Sequence, residues 1–314
     1  LSPSEIVARI GEQVPDSLHL TSLQLSGNPG ETWMAAFKET GKRSLSLNPY
    51  TGEVNGWTQT HPFFQTLRKL HRWLLDPPAF KGGASAGKTV VGITTLLMVF
   101  ILVSGLVIWI PRNRRALKNR LRVACNKGWR RFWYDSHVSL GFYATLFLLV
   151  MALTGLTWSF PWYRNAAYSL LGASPSRSQA PKSPSHSSPK EERAAAFDYA
   201  VWDKVVQELH QQYPSYASIT LSRSEAKISL PGRMRRSDTV RFDSRTGEIR
   251  KVIPYQDTPR AQQLKMWFYA FHTGSWGGLT TQILYFLAAL IGGILPLSGY
   301  YLWFKRTRRR KTTV

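Results

Sequence analysis

Three long apolar runs interrupt an otherwise polar chain, and two of them stop abruptly at basic clusters. Thr89 to Ile110 ends at Pro111, with Arg112, Arg114, Arg115, Lys118, Arg120 and Arg122 behind it. His137 to Phe160 is the second run. The third extends from Ile283 to Trp303, broken only by small residues and Pro296, with no charge before Lys305. About 20 such residues suffice for a helix to cross the hydrocarbon core. Each run is therefore a candidate span. Basic residues mark the cytoplasmic ends of spans, so the first and third runs lead inward and the second leads outward.

Between the runs the period changes. Ile6 to Val14 has the spacing of a short amphipathic helix, ended near Pro15. Leu18 to Leu25, Thr32 to Phe37 and Arg43 to Leu47 alternate like strands, Asn48 to Glu53 reads as a turn, and Val54 begins a return. A second set follows: helical Val201 to Tyr213, strand-like Ile219 to Leu221, Lys227 to Leu230 and Thr239 to Phe242, then a turn from Asp243 to Ile249. Phe63, Leu67, Leu70 and Leu74 share a helical face opposite Arg68, Lys69 and Arg72, as in an interfacial amphipathic helix. Ala173 to Ala196, rich in Ser and Pro, reads as a flexible linker.

The expected fold is a multi-pass α-helical membrane protein with two extracytoplasmic α+β domains. Residues 1–60 form the first domain, 61–87 the amphipathic helix with His71, and 88–110 a span. A basic cytoplasmic loop (111–136), a second span (137–160) and a Ser/Pro-rich linker (161–197) follow. Residues 198–258 form the second domain, 259–304 the His272 segment with its span, and 305–314 a basic cytoplasmic tail.

The two domains match each other. Val7 to Pro15 corresponds to Val205 to Pro214, and Asn48-x-x-Thr51-Gly52-Glu53-Val54 to Asp243-x-x-Thr246-Gly247-Glu248-Ile249. Each leads through a segment with one histidine into a span. The spans close on Ser104-Gly105-Leu106-Val107-Ile108-Trp109 and Ser298-Gly299-Tyr300-Tyr301-Leu302-Trp303, with Thr154-Gly155-Leu156-Thr157-Trp158 a third related ending. Two parallel repeats are expected, each of span, outer domain, histidine segment and span. The first lacks its leading span, and we expect that span, with its own histidine near the cytoplasmic side, to be absent from this sequence.

Charge and cysteine usage narrow the chemistry. The 314 residues carry 41 Lys and Arg against 18 Asp and Glu, a formal net charge of +23. In a soluble protein that excess would point to nucleic acid. Here it gathers at the ends of apolar runs, so membrane topology accounts for it and no nucleic-acid partner is expected. Cys125 is the only cysteine. That excludes an intrachain disulfide, an iron–sulfur cluster held by this chain alone and a Cys-x-x-Cys-His haem attachment.

Three stretches then stand out: Leu70-His71-Arg72, Phe132-Trp133-Tyr134-Asp135-Ser136-His137 and Phe271-His272-Thr273-Gly274. As a set, over nearly the whole chain, they resemble the PepSY-associated transmembrane family, and the two outer domains resemble PepSY domains with their Thr-Gly-Glu turn. The family includes bacterial inner-membrane reductases of ferric siderophores that hold b-type haem between their helices. The resemblance implies an inner-membrane oxidoreductase with periplasmic soluble domains and a cytoplasmic C-terminus. Its partners would be the lipid bilayer, a ferric siderophore and an electron donor from another molecule, a quinol or a soluble flavin reductase. Arg233, Arg235, Arg236 and Arg241 could attract an anionic complex, or be a solvated basic face.

Ionisable side chains at membrane depth are costly and default to a functional reading, although any one of these histidines alone is as readily an interfacial residue. His71 and His272 hold equivalent places in the two repeats, which would set them face to face as the axial pair of one outer haem b. Gly274, Gly277 and Gly278, with Gly82 and Gly83, would leave room for a flat macrocycle or simply break loops. His137 lies near the opposite membrane face; a second, inner haem would require a partner for it. A zinc site needs three or four ligands, and no acidic residue or cysteine neighbours His71 or His272 in sequence. His19, His61, His186 and His210 read as surface residues. The tryptophans near span ends, among them Trp109, Trp133, Trp158 and Trp303, read as an aromatic belt. The rival to the oxidoreductase is a non-catalytic membrane protein whose PepSY domains bind or regulate a peptidase or other partner.

Overall fold

A computed structural model of the chain describes residues 1–41, 43–80, 83–173, 197–232 and 236–311. It divides into two compact units. One comprises residues 1–65 and 176–263, the other 66–175 and 264–314.

In the first unit, helix α1 (Pro3–Gln13) starts earlier than its apolar spacing predicts. Ser2 caps it, and Glu5 returns the bond to the Ser2 N–H. This reciprocal box satisfies two backbone donors the helix itself cannot. Strands β1 (Leu20–Ser26), β2 (Trp33–Phe37), β3 (Ser44–Leu47) and β4 (Val54–Thr58) follow as an antiparallel meander. After the membrane segments the same order recurs: α7 (Ala200–Gln212), then β5 (Ser218–Ser222), β6 (Glu225–Ser229), β7 (Ser237–Phe242) and β8 (Ile249–Ile253).

The two sets of strands do not form two separate domains. β1 pairs with β5, so all eight strands make one antiparallel sheet in the order β4-β3-β2-β1-β5-β6-β7-β8. At this seam Leu23 lies opposite Leu221 and Leu25 opposite Ile219, all at most 1% exposed. One core runs under the sheet, from Ile6 and Ile10 of α1 to Trp202, Val205 and Leu209 of α7. Ser4 at the start of α1 bonds both carboxylate oxygens of Asp203 in α7, tying the two helices together.

Equivalent turns close each half. The Asn48 side chain accepts from the N–H groups of Tyr50 and Thr51, and Asp243 accepts from Arg245 and Thr246. Gly52 and Gly247 follow at φ 73° and 77°, a conformation glycine adopts without steric cost.

The second unit is helical. Helix α2 (Pro62–Trp73) leads into it with none of its residues buried. Three helices are long and apolar enough to cross a membrane: α3 (Ala86–Trp109), α5 (Trp129–Ser159) and α9, apolar over Leu279–Arg308. Between α3 and α5 lies the short α4 (Arg114–Arg120). α5 begins eight residues before the predicted span, at Trp129, so the 111–136 stretch is not all loop. Within it lie Arg131 and Asp135. They pair at i,i+4 with a 2.8 Å contact, and Asp135 is 5% exposed, so the two charges enter the helix as a compensated pair.

Residues 161–170, expected as linker, are instead helix α6 (Pro161–Leu170), with Pro161 at its first turn, where a missing N–H costs nothing. The Ser/Pro-rich stretch at 174–196, with His186, lies outside the described residues. Helix α8 (Arg260–Thr273) carries the His272 segment, and α9 runs on through the basic tail to Lys311.

α5 is the central helix, packed against both α3 and α9. Glycines set the close approaches: a Cβ on Gly292 of α9 would lie 2.8 Å from Leu148, and one on Gly92 of α3 would lie 2.6 Å from Phe160. Small residues are what let helices approach in lipid, where no hydrophobic force drives them together.

Two outcomes are expected. Leu221→Ala removes a fully buried side chain at the seam and should cost about 2–5 kcal/mol. Because the core is shared, hydrogen exchange should show β1–β4 and β5–β8 losing protection together; retained protection in β1–β4 alone would contradict a single cooperative sheet. Burial, reinforced by the Asp238 carboxylate 3.0 Å from its hydroxyl, raises the Tyr213 pKa to about 12. An unfolded tyrosine ionises near pH 10, so above that pH the unfolded chain binds fewer protons than the folded one. Stability should fall as the pH rises from about 10 to 12, and Tyr213→Phe should flatten that alkaline limb of a pH–melting curve.

Candidate cofactor site between two helix-borne histidines

α8 lays His272 against the C-terminal part of α5. Its Nδ1 is 3.0 Å from the Met151 carbonyl oxygen and 3.2 Å from the Thr154 hydroxyl. A carbonyl oxygen only accepts, so Nδ1 carries the proton and, in the neutral ring, Nε2 keeps the lone pair. Gly155 makes the approach possible: a Cβ there would stand 3.2 Å from His272 Cε1. Trp158, one turn on, meets the imidazole edge-to-face with ring centroids 5.2 Å apart.

His71 reaches the same place from α2. Its ring centroid lies 6.1 Å from that of His272, the planes inclined by 39°. The end of α2 is held by α3. Asp76 accepts from the Gly87 N–H at 2.9 Å, and Ser85 donates to the Asp76 carbonyl at 2.7 Å. Gly87 sits directly under α2, since a Cβ on it would fall 1.8 Å from the Trp73 carbonyl oxygen. The chain reverses through Leu74 and Leu75 at φ 50° and 68°. Branched residues take this left-handed region at a cost of roughly 1–2 kcal/mol each, which the surrounding contacts must offset.

These residues bear on the haem that the motif resemblance implies. Metal–nitrogen bonds of about 2 Å, plus about 1 Å from each nitrogen to its ring centre, span roughly 6 Å, so the centroid spacing would admit one metal ion held by both imidazoles. His71 is exposed, which leaves the pair open on one side. Two imidazoles, one with its tautomer held by a carbonyl, are a donor set that suits axial ligation. Among the described residues no group of three His, Cys, Asp or Glu could hold a metal ion, so the donor set is short of a zinc site.

The other histidines lie elsewhere. His137 is in α5, its Nδ1 2.8 Å from the Ser298 hydroxyl of α9. From residue 137 to residue 154 the helix rises about 25 Å, so His137 cannot join the His71–His272 pair. His19 pairs with Glu39 at 2.8 Å and His210 stacks on Tyr216. His61 is exposed at the start of α2.

Of the two readings of the glycines, loop breaking is the one that Gly274 and Gly277 fit. A Cβ on Gly274 would strike the Tyr285 ring at 2.7 Å and one on Gly277 would strike Thr281 at 2.3 Å. These glycines fit the α8–α9 turn onto α9 rather than leaving room beside an imidazole. Gly83 packs on Phe80, and Gly82 lies outside the described residues. The glycine that faces His272 is Gly155, which the helical pattern alone did not single out.

Over residues 3–306 the chain matches the PepSY-associated TM region family. It belongs to that family. No curated protein matches it. For this PepSY-associated membrane protein the three histidine motifs therefore sit in three different helices of one unit: α2, α5 and α8.

The basic residues expected to face a substrate lie in the sheet unit. Arg241 is exposed and 4.0 Å from Glu225, and Arg236 lies over the Tyr255 ring at 6.0 Å. Arg233 and Arg235 lie outside the described residues. On the sheet face opposite the core, β1 and β5 present Ser22, Gln24, Ser26, Ser218, Thr220 and Ser222, short polar side chains in register. A hollow of about 530 Å³ opens on this seam, lined by Gln24, Ser26, Glu31, Met34 and Ser218 among others.

Gly87→Ala should force the end of α2 away from α3 and lower stability by roughly 1–3 kcal/mol. Gly105→Ala, in the same helix with nothing within 4 Å, should leave the thermal midpoint unchanged or raise it. Equal effects of the two would contradict the close approach at Gly87.

Proposed function

We propose that this protein is a haem-binding oxidoreductase of the bacterial inner membrane that reduces ferric siderophore. The observation that carries the reading is the His71–His272 pair, with ring centroids 6.1 Å apart and the His272 Nδ1 bonded to a backbone carbonyl. In this reading His71 and His272 would hold one outer haem b through their Nε2 atoms. The proposed topology puts the sheet unit in the periplasm and the α9 tail in the cytoplasm, from the Lys and Arg that follow α3 and end α9. The two α-plus-four-strand halves are read as copies of one PepSY-like repeat.

When bound, haem supplies a one-electron carrier. The protein's own groups do the rest. The Met151 carbonyl and Thr154 hydroxyl orient His272, and Trp158 covers one edge of its ring. The contacts of Asp76, Ser85 and Gly87 position the turn of α2 that bears His71. One electron passed to a ferric chelate yields Fe(II), a softer ion that hard oxygen ligands hold less tightly. The donor is another molecule, a quinol or a reduced flavin. Exposed Arg241 would draw an anionic chelate toward the sheet unit.

A second reading has its own observation in the open sheet face. Its hydroxyl-lined seam and hollow suit an extended peptide or partner protein, as a non-catalytic PepSY module would use.

Visible spectra of the purified chain and its variants separate the two. His71→Ala and His272→Ala should each leave the iron five-coordinate or lose the haem, and abolish ferric-chelate reduction measured by trapped Fe(II). His137→Ala should spare this haem. Normal six-coordinate spectra in both of the first two variants would overturn the ligand assignment, and a colourless wild-type protein would favour the binding module.

A further inference from the structure

One hydrogen-bond arrangement occurs at both ends of α5. At one end Thr154 and Gly155 of α5 receive His272 of α8. At the other Ser298 and Gly299 of α9 receive His137 of α5. Each hydroxyl lies within hydrogen-bond distance of an imidazole Nδ1, at 3.2 Å and 2.8 Å. Each is buried, Thr154 at 8% and Ser298 at 4% exposure. Each is followed by a glycine whose added Cβ would touch the imidazole Cε1, at 3.2 Å for Gly155 and 3.5 Å for Gly299.

The proton count then assigns the tautomers. A helical Ser or Thr commonly returns its hydroxyl proton to a carbonyl three or four residues back. Thr154 does so to Val150 at 2.6 Å, and Ser298 to Leu295 at 2.9 Å. With its single proton placed there, a hydroxyl can only accept from the imidazole. At His272 the Met151 carbonyl requires the same Nδ1–H independently. At His137 no other Nδ1 partner is present among the described residues, so Ser298 alone decides.

We infer that the pairs Thr154–Gly155 and Ser298–Gly299 are imidazole seats, holding His272 and His137 as Nδ1–H tautomers and leaving Nε2 of each as the lone-pair nitrogen. Their four residues are positioning residues: they act on a ligand or proton acceptor through its other ring nitrogen, and the hydroxyl and glycine serve separate ends. At His137 the hydroxyl fixes the tautomer; at His272 it joins the Met151 carbonyl in doing so, and Gly155 is the glycine whose side chain would crowd the ring. The dipeptide is not sufficient by itself. Ser104–Gly105 of α3 has the same sequence as Ser298–Gly299, yet among the described residues Ser104 bonds only back to Ile101 at 3.1 Å and a Cβ on Gly105 would meet nothing within 4 Å beyond its own helix. A seat also needs a facing histidine. Any redox consequence at His272 rests on the haem reading above; the tautomers do not.

The test is nitrogen-15 NMR of histidine-labelled full-length protein in detergent micelles, with the His137 signals identified by their loss in His137→Gln. Wild type should show His137 protonated at Nδ1 and bare at Nε2. Ser298→Ala should shift it toward the Nε2–H form, and Ser298→Thr should restore the wild-type pattern. An Nε2–H tautomer in wild type, or no change in Ser298→Ala, overturns the proposal. At the other seat Thr154→Val should keep Nδ1–H through Met151, whereas Gly155→Ala should displace the ring and alter the electron paramagnetic resonance spectrum of bound haem. A colourless protein would defeat the haem reading while the His137 experiment still decides the seats.

Discussion

Close approach to α5 is the constraint on which the helical unit depends. Inside a bilayer, apolar side chains gain nothing from leaving lipid for one another, so helices associate through dense van der Waals contact. Dense contact needs gaps in the side-chain surface. Gly92 and Gly292 provide them against Phe160 and Leu148, bringing α3 and α9 onto α5. The histidines rely on the same device, since the His272 ring rests over Gly155 and the His137 ring over Gly299. Bulk at Gly92, Gly292 or Gly155 would move helix or ring alike, so the packing of the unit and the placing of the His272 imidazole are one problem.

The sheet unit is held by different physics. It has an aqueous-type core, with Trp202, Leu23, Leu221 and Ile228 nearly free of exposure, and burial of apolar surface stabilises it directly. In either half alone, β1 or β5 would be an open edge with unpaired backbone groups. Joining the two edges completes the hydrogen-bond ladder and the core in one step.

Much of the architecture was legible in the sequence, because long apolar runs and alternating strands are local patterns. The three span candidates and the helix-then-strands order of the two matching sets followed from them, whereas α4 and α6 did not. What was not legible was non-local or hidden inside a regular element. The β1–β5 pairing joins residues about 200 positions apart, and no local period records it. The early start of α5 fell inside the stretch assigned to the basic loop, where the Arg131–Asp135 pairing that compensates two charges in the helix is not visible in the sequence. The site was partly legible: His71 and His272 stood out as ionisable groups beside apolar runs. Gly87 did not, and Gly155 stood out only as part of a repeated span ending, since a glycine within a helix has no sequence sign of what leans on it. The glycines that did attract notice, Gly274 and Gly277, serve Tyr285 and Thr281 instead.

The seam also sets an order of synthesis. β1 leaves the ribosome before α3 and α5, whereas β5 follows only after both have been made and the chain has passed the Ser/Pro-rich stretch. For that interval the N-terminal half carries a bare edge at Leu20–Ser26, with Leu23 and Leu25 on its apolar face. At some 15 residues per second, the wait is on the order of ten seconds. Unpaired apolar edges over such times invite pairing with other chains, so maturation of this protein is a race between helix insertion and misassociation of its first four strands.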